Sequence, residues 1–188
     1  RFLGSQIMLT PEMRSTGEVM GLADDLGMAF AKSQMAAQPG LPTSGNIFLS
    51  VKDHDKEAAA EIAQKFINFG FKIYSTAGTA AFLREKGIPV TKTYKLSEGA
   101  RPNVVDMVKN GEIQIIINTP SGMNPRIDEN KIREEALLSR VCMITTIMGA
   151  YAALRGIEAL KTKQLTVKSL QEYKVEIDAK RAKLEASK

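Results

Sequence analysis

The chain has 188 residues, 44% hydrophobic and 25% charged, enough for one domain with a proper core plus an appendage. Its net charge of +5 forms no basic block beyond a mild one at Lys180, Arg181 and Lys183, and with 6% aromatics and no tryptophan the pattern argues against nucleic-acid binding. No apolar run approaches the about 18 residues of a membrane span, no secretory signal is visible, and the single cysteine permits no internal disulfide, which points to a soluble, reducing, cytoplasmic setting without membrane contact.

Residues 1–40 differ in character from the rest. Phe2–Thr10 is mixed and apolar, Ser15 and Thr16 are candidate N-caps, and Glu18 opens a helix that runs to about Ala37. The start at Arg1, without methionine, reads as a fragment or excised domain. Gln38-Pro39-Gly40-Leu41-Pro42-Thr43-Ser44-Gly45 marks a boundary, with 41–45 as the linker to a domain over 46–188. From Asn46 strands and helices alternate. Strands fall at 46–51, 71–75, 89–93, 113–118 and 141–144. Helices fall at 55–69, 78–86, 103–110, 128–139, 145–161 and 165 to about 185. Gly70, Gly87 and Gly111 serve as helix stops. Ile62, Phe66 and Phe69 share one helix face, and Ile147, Ala150, Tyr151 and Leu154 face inward on another.

This alternation predicts an α/β fold: a five-stranded parallel sheet, order 3-2-1-4-5, with helices on both faces. Winding then reverses between strands one and four, and ligands sit at such a point, outside the carboxyl ends of the strands. The loops that converge there are polar. Ile73-Tyr74 opens into Ser75-Thr76-Ala77-Gly78-Thr79, Ile115-Ile116-Ile117 into Asn118-Thr119-Pro120-Ser121-Gly122, and Ile47-Phe48-Leu49 into Ser50 followed by Lys52 and Lys56. Glycine lets backbone approach an anion, hydroxyls and amides donate to it, and lysine supplies charge, so a phosphorylated small molecule is the expected ligand.

Each loop also has a structural reading. Ser75–Thr79 is either an ordinary Ser/Thr helix cap or a helix N-terminus open to an anion; it is neither a P-loop nor GxGxxG. Asn118–Gly122 is a turn or a ligand loop. Asp53 and Asp55 are candidate caps, which puts Lys56 in a first turn, where lysine opposes the helix dipole and hints at a local anion. Lys56 and Thr79 both read as loop residues. His54 is a general acid or base, or a surface histidine. Lys95 reaches the same pocket or stays solvated. Cys142, within Val141-Cys142-Met143-Ile144, reads as a buried strand position, and one cysteine with one histidine is too little for a zinc site.

Pro11-Glu12-Met13-Arg14-Ser15-Thr16-Gly17-Glu18-Val19-Met20-Gly21 resembles the string that ends the second ATP-grasp half of carbamoyl-phosphate synthase large chains. Leu49-Ser50-Val51, Ser75–Thr79, Glu98-Gly99-Ala100-Arg101-Pro102, Lys109-Asn110-Gly111-Glu112 and Asn118–Gly122 are similar to that family's C-terminal allosteric domain, which has the Rossmann-like methylglyoxal-synthase fold. The resemblance implies that residues 1–40 are the tail of the preceding synthetase domain and that this chain is non-catalytic, with no cofactor of its own. The parent makes carbamoyl phosphate for arginine and pyrimidine synthesis from glutamine-derived ammonia, bicarbonate and ATP with Mg or Mn, at upstream sites. Implied partners are the rest of the large chain, the glutaminase small chain, a further copy in an oligomer, and a UMP or IMP effector.

Carried over by motif, Lys56, Thr76, Gly78, Thr79, Lys95, Asn118, Thr119, Ser121 and Gly122 contact the nucleotide, with Ser50 beside them. Thr145 matches a position that helps bind ornithine in some bacterial members. Pro120 departs from a bacterial threonine and removes a hydroxyl and a backbone donor; an acetylglutamate-type effector is the alternative. Methylglyoxal synthase resembles the chain around His54-Asp55, but its catalytic aspartate sits in a loop that corresponds to Gly122-Met123-Asn124-Pro125-Arg126, which holds no carboxylate. Inosine-monophosphate cyclohydrolase shares the fold but does not explain residues 11–21.

Overall fold

The computed structural model describes residues 19–37, 39–119 and 127–186. Ser15, Thr16, Glu18 and the stretch Pro120–Arg126 lie outside the described residues. Five strands, β1 (Asn46–Ser50), β2 (Lys72–Ser75), β3 (Thr91–Lys92), β4 (Ile115–Asn118) and β5 (Cys142–Ile144), form one sheet in the order β3-β2-β1-β4-β5. Every pairing is parallel. This is the predicted order.

The sheet is covered on both faces, and strand alternation sorts the side chains. Ile47, Leu49, Ile73, Ile115, Ile117, Cys142 and Ile144 point into one apolar cluster. There they meet α2 (Lys56–Asn68), α3 (Ala77–Glu85) and α6 (Ile147–Thr162) through Ile62, Phe66, Leu83, Ala150 and Leu154. Phe48 and Ile116 point the other way, onto α4 (Val104–Lys109) and α5 (Ile127–Leu138) through Val104, Met107, Val108, Ile132 and Ala136. Ile115, Ile116 and Ile117 are all 0% exposed, as a central parallel strand demands. Each contributes about 1.5–3 kcal/mol of burial.

The chain before β1 shares this core. α1 (Leu26–Ala37) lies along α6, and Ala31 and Leu41 join the first cluster. It begins at Leu26, later than the sequence reading. The Asp25 Oδ1 accepts the Met28 N–H at 3.0 Å, and Val19–Asp25 runs non-helically before it. Gly21 lies flush on α1, where a Cβ would come within 1.9 Å of the Ala29 carbonyl oxygen. Asp25 also pairs with Lys163 beyond the end of α6 at 2.8 Å; that hydrogen bond, with the Met28 N–H, holds its carboxyl below the usual range.

Two other elements differ from expectation. β3 is only two residues, because Thr91 and Lys92 alone pair with β2. The last helix, α7 (Leu170–Ala186), begins five residues late. Ser169 and Glu172 cap it reciprocally, the Ser169 N–H donating to Glu172 Oε2 at 2.6 Å and the Glu172 N–H to Ser169 Oγ at 3.2 Å. Among the described residues no helix is long and apolar enough to cross a membrane.

The α1–α6 contact depends on Gly27, whose Cβ position is 2.4 Å from the Arg155 carbonyl oxygen. Gly27→Ala gains about 1 kcal/mol of helix propensity. The clash is with backbone and cannot be relieved by a rotamer change, so an overpacking cost of about 1–3 kcal/mol exceeds that gain. A lower denaturant midpoint for Gly27→Ala is the expected result; an unchanged or raised midpoint contradicts this packing.

Candidate phosphate-binding site

Parallel strands end on the same side. The carboxyl ends of β1, β2 and β4 therefore bring their loops together, at the point where the winding reverses. A pocket of about 360 Å³ opens there. Ser50, Lys56, Thr76, Gly78, Thr79, Lys95, Asn118 and Thr119 all line it, with Lys52. Phe48 and Ile132 supply apolar surface, and Asp128 and Glu129, at the start of α5, supply carboxylates.

The start of α3 bears on both readings of Ser75–Thr79. Thr76 is the N-cap residue, but its side chain makes no capping hydrogen bond. Its hydroxyl lies instead 3.3 Å from Ser50 Oγ. The first helical bond at this end runs from the Ala80 N–H to the Thr76 carbonyl at 2.8 Å. The amides of Ala77, Gly78 and Thr79 thus begin the helix without a side-chain cap, the arrangement that favours an anion. Gly78 leaves the approach open: no atom of the described residues lies within 4 Å of where its Cβ would be. Ser75 plays a different part. Fully buried, it donates its hydroxyl to the Leu49 carbonyl and so ties β2 to β1.

Asn118 is the second feature. It is 4% exposed, and its Nδ2 is buried with no hydrogen-bond partner among the described residues. An unsatisfied buried donor costs about 1–3 kcal/mol, a cost that a ligand acceptor would remove. The lysines supply charge. Lys56 is the first residue of α2, against the dipole, and the structure shows what offsets it. Its Nζ is 2.8 Å from Asp53 Oδ1, and this hydrogen bond holds the Asp53 carboxyl below its usual range. Asp53 itself is 95% exposed, so it leaves Lys56 available to the pocket.

Thr79 is not a loop residue: it is buried in the first turn of α3, 3% exposed, and faces the Val51 backbone. His54 is 92% exposed, 3.3 Å from Asp55, and is not among the lining residues. Thr145 is exposed and apart from the pocket, beside Thr146, whose hydroxyl caps α6 by accepting the Gly149 N–H at 3.0 Å. Ser121 and Gly122 lie outside the described residues.

The sequence reading missed Asp128, Glu129 and Ser97. Asp128 Oδ2 accepts the Ser97 N–H at 3.2 Å as well as its hydroxyl, across the mouth of the pocket. Two carboxylates in the first turn of the helix after β4 were the available signal for α5. Nothing local marks Ser97. Among the described residues no group of three or more His, Cys, Asp or Glu is placed to hold a metal ion.

Residues 58–145 match the MGS-like domain family. The chain is 51% identical over 166 residues to the carbamoyl phosphate synthase large chain of Gemmatimonas aurantiaca, covering 88% of this chain and 15% of that one. It is 50% identical over 171 residues to that of Acidobacterium capsulatum, covering 91% and 16%. A crystal structure of methylglyoxal synthase from Elizabethkingia anophelis superposes with a TM-score of 0.51 at 16% identity, over 68% of this chain and 97% of that one, and shows the fold alone.

The chain therefore carries an MGS-like domain and is homologous to a segment of carbamoyl phosphate synthase large chains. It spans about one sixth of the length of these relatives.

Cys142 takes no part in this chemistry. It is 5% exposed on β5, and burial pushes its thiol up to about 11. At pH 8 the native thiol should react with a soluble disulfide reagent only at the rate of unfolding; rapid native-state modification contradicts its placement.

Proposed function

We propose that this chain is the effector-binding regulatory portion of a carbamoyl phosphate synthase large chain, with residues 1–40 the tail of the preceding synthetase domain. The effector is a phosphorylated nucleotide of the UMP or IMP type, and its binding tunes carbamoyl phosphate synthesis for arginine and pyrimidine formation. Its partners are the remainder of the large chain and the glutaminase small chain.

The observation that carries the reading is the uncapped start of α3, facing the pocket that Lys52, Lys56 and Lys95 line. Backbone amides fix the phosphate's position, lysines attract it, and Asn118 Nδ2 has a hydrogen bond to give. The carboxylates of Asp128 and Glu129 suit the hydroxyl groups of an attached sugar, which a bare anion lacks. Regulation follows only if the effector binds one conformation of the whole enzyme better than another, a coupling of about 1–3 kcal/mol.

Titration calorimetry with UMP and with IMP, in phosphate-free buffer, tests the reading. Saturable 1:1 binding of either is expected. Gly78→Ala puts a methyl group into open space, so it leaves the melting temperature unchanged or raises it. It should nonetheless weaken nucleotide binding about tenfold, as should Lys56→Ala through loss of a charge-assisted hydrogen bond. Wild-type affinity in both variants would show that the phosphate lies elsewhere. Absence of binding to either nucleotide would move the reading to an acetylglutamate-type effector or an assembly role.

A further inference from the structure

Taking the pocket to be a phosphate site, we infer that Thr119 is a positioning residue: its hydroxyl holds the loop that carries the lysines. The carry-over from the family had made Thr119 a direct contact of the ligand. Within the protein its hydroxyl oxygen serves as an acceptor. The Lys52 N–H donates to Thr119 Oγ1 at 3.1 Å, and the Thr119 N–H donates to the Ser50 carbonyl at 3.1 Å. Thr119 is 5% exposed.

The position explains the residue. The β1–β4 ladder ends at the pair Ser50 and Asn118. Thr119 is the first residue past it, and its backbone N–H adds one further bond of the same kind. There β4 ends, and the side-chain oxygen takes up Lys52, the next loop amide, in place of a strand carbonyl. A β-branched residue suits this strand-end backbone, and of the two common ones of that size only threonine brings an acceptor.

What the contact fixes lies downstream. The Lys52 carbonyl accepts the Asp55 N–H at 3.0 Å, closing the turn Asp53–Asp55 from which α2 starts at Lys56. On the opposite side the Val51 N–H reaches Thr79 Oγ1 at 3.4 Å, a longer and weaker bond. The Lys52 side chain is 46% exposed and 3.8 Å from Asp55, so it anchors little. The Thr79 hydroxyl also meets the Val51 carbonyl, at 3.5 Å; among the described residues Thr119 thus makes the shortest side-chain bond to this loop's backbone, and it acts on the anion through Lys52 and Lys56.

Thr119→Val and Thr119→Ser separate this role from direct contact. Inorganic phosphate is the probe, followed by the Gly78 amide shift, with hydrogen exchange at the Lys52 amide as the readout that general packing would not move. In wild type the Lys52 amide is protected; an unprotected amide overturns the inference without any variant. Thr119→Val should raise exchange at Lys52 about tenfold and weaken phosphate about fivefold, the loss of one hydrogen bond, with Ser restoring both. Should the valine variant fail to fold, the serine variant and the wild-type exchange decide. Serine lacking Lys52 protection overturns the inference. Phosphate affinity unchanged in Thr119→Val, with wild type binding, overturns it and leaves the site standing. Wild type failing to take up phosphate overturns the site itself, and the inference with it.

Discussion

Everything in this domain follows from the parallel pairing of β1 with β4. Both strands are buried on both faces, and Ile115, Ile116 and Ile117 have no exposed surface. Such a strand cannot be solvated, so helices must cover each side. Because the strands are parallel, their connections cross over and their carboxyl ends align. Since β2 and β3 lie on one side of this pair and β5 on the other, the winding reverses between β1 and β4. The loops after them separate there and leave a pocket. The site is a consequence of the sheet rather than an addition to it.

The chemistry of that pocket rests on withheld hydrogen bonds. A threonine at an N-cap normally satisfies its own helix. Thr76 does not, because its hydroxyl faces Ser50. Among the described residues Asn118 leaves a buried amide donor without a partner. Under the proposed function, an anion would supply the partners these groups lack, and binding would then be linked to local stability. The relation to carbamoyl phosphate synthase large chains sets where such linkage would matter. α1 precedes β1 and packs along α6 with Gly27 against Arg155, so this stretch is part of the same core.

Much of this was legible in the sequence for a physical reason: isoleucine runs ending in small polar residues mark buried strands with loops at one edge. That pattern set the strand order and brought Ser50, Thr76, Gly78, Lys95 and Asn118 together. Other features depend on groups far apart in the chain, which no local pattern encodes. Ser97 and Asp128 meet across 31 residues, and Thr79 turns its hydroxyl to a backbone 28 residues away. Lys56 against the helix dipole looked like a sign of bound anion, whereas Asp53 already offsets it. Ser15 and Thr16 are cap-type residues that suggest an earlier start for α1, whereas Asp25 caps the helix the structure describes.

We propose that a phosphate group rests on the backbone at the start of α3. A crystal structure of this chain with a bound phosphorylated nucleotide tests it directly. Phosphate oxygens are expected within hydrogen-bond distance of the Gly78 and Thr79 amides, with the Asn118 amide and a lysine ammonium completing the shell. A phosphate bound elsewhere, with those amides facing only water, would contradict it.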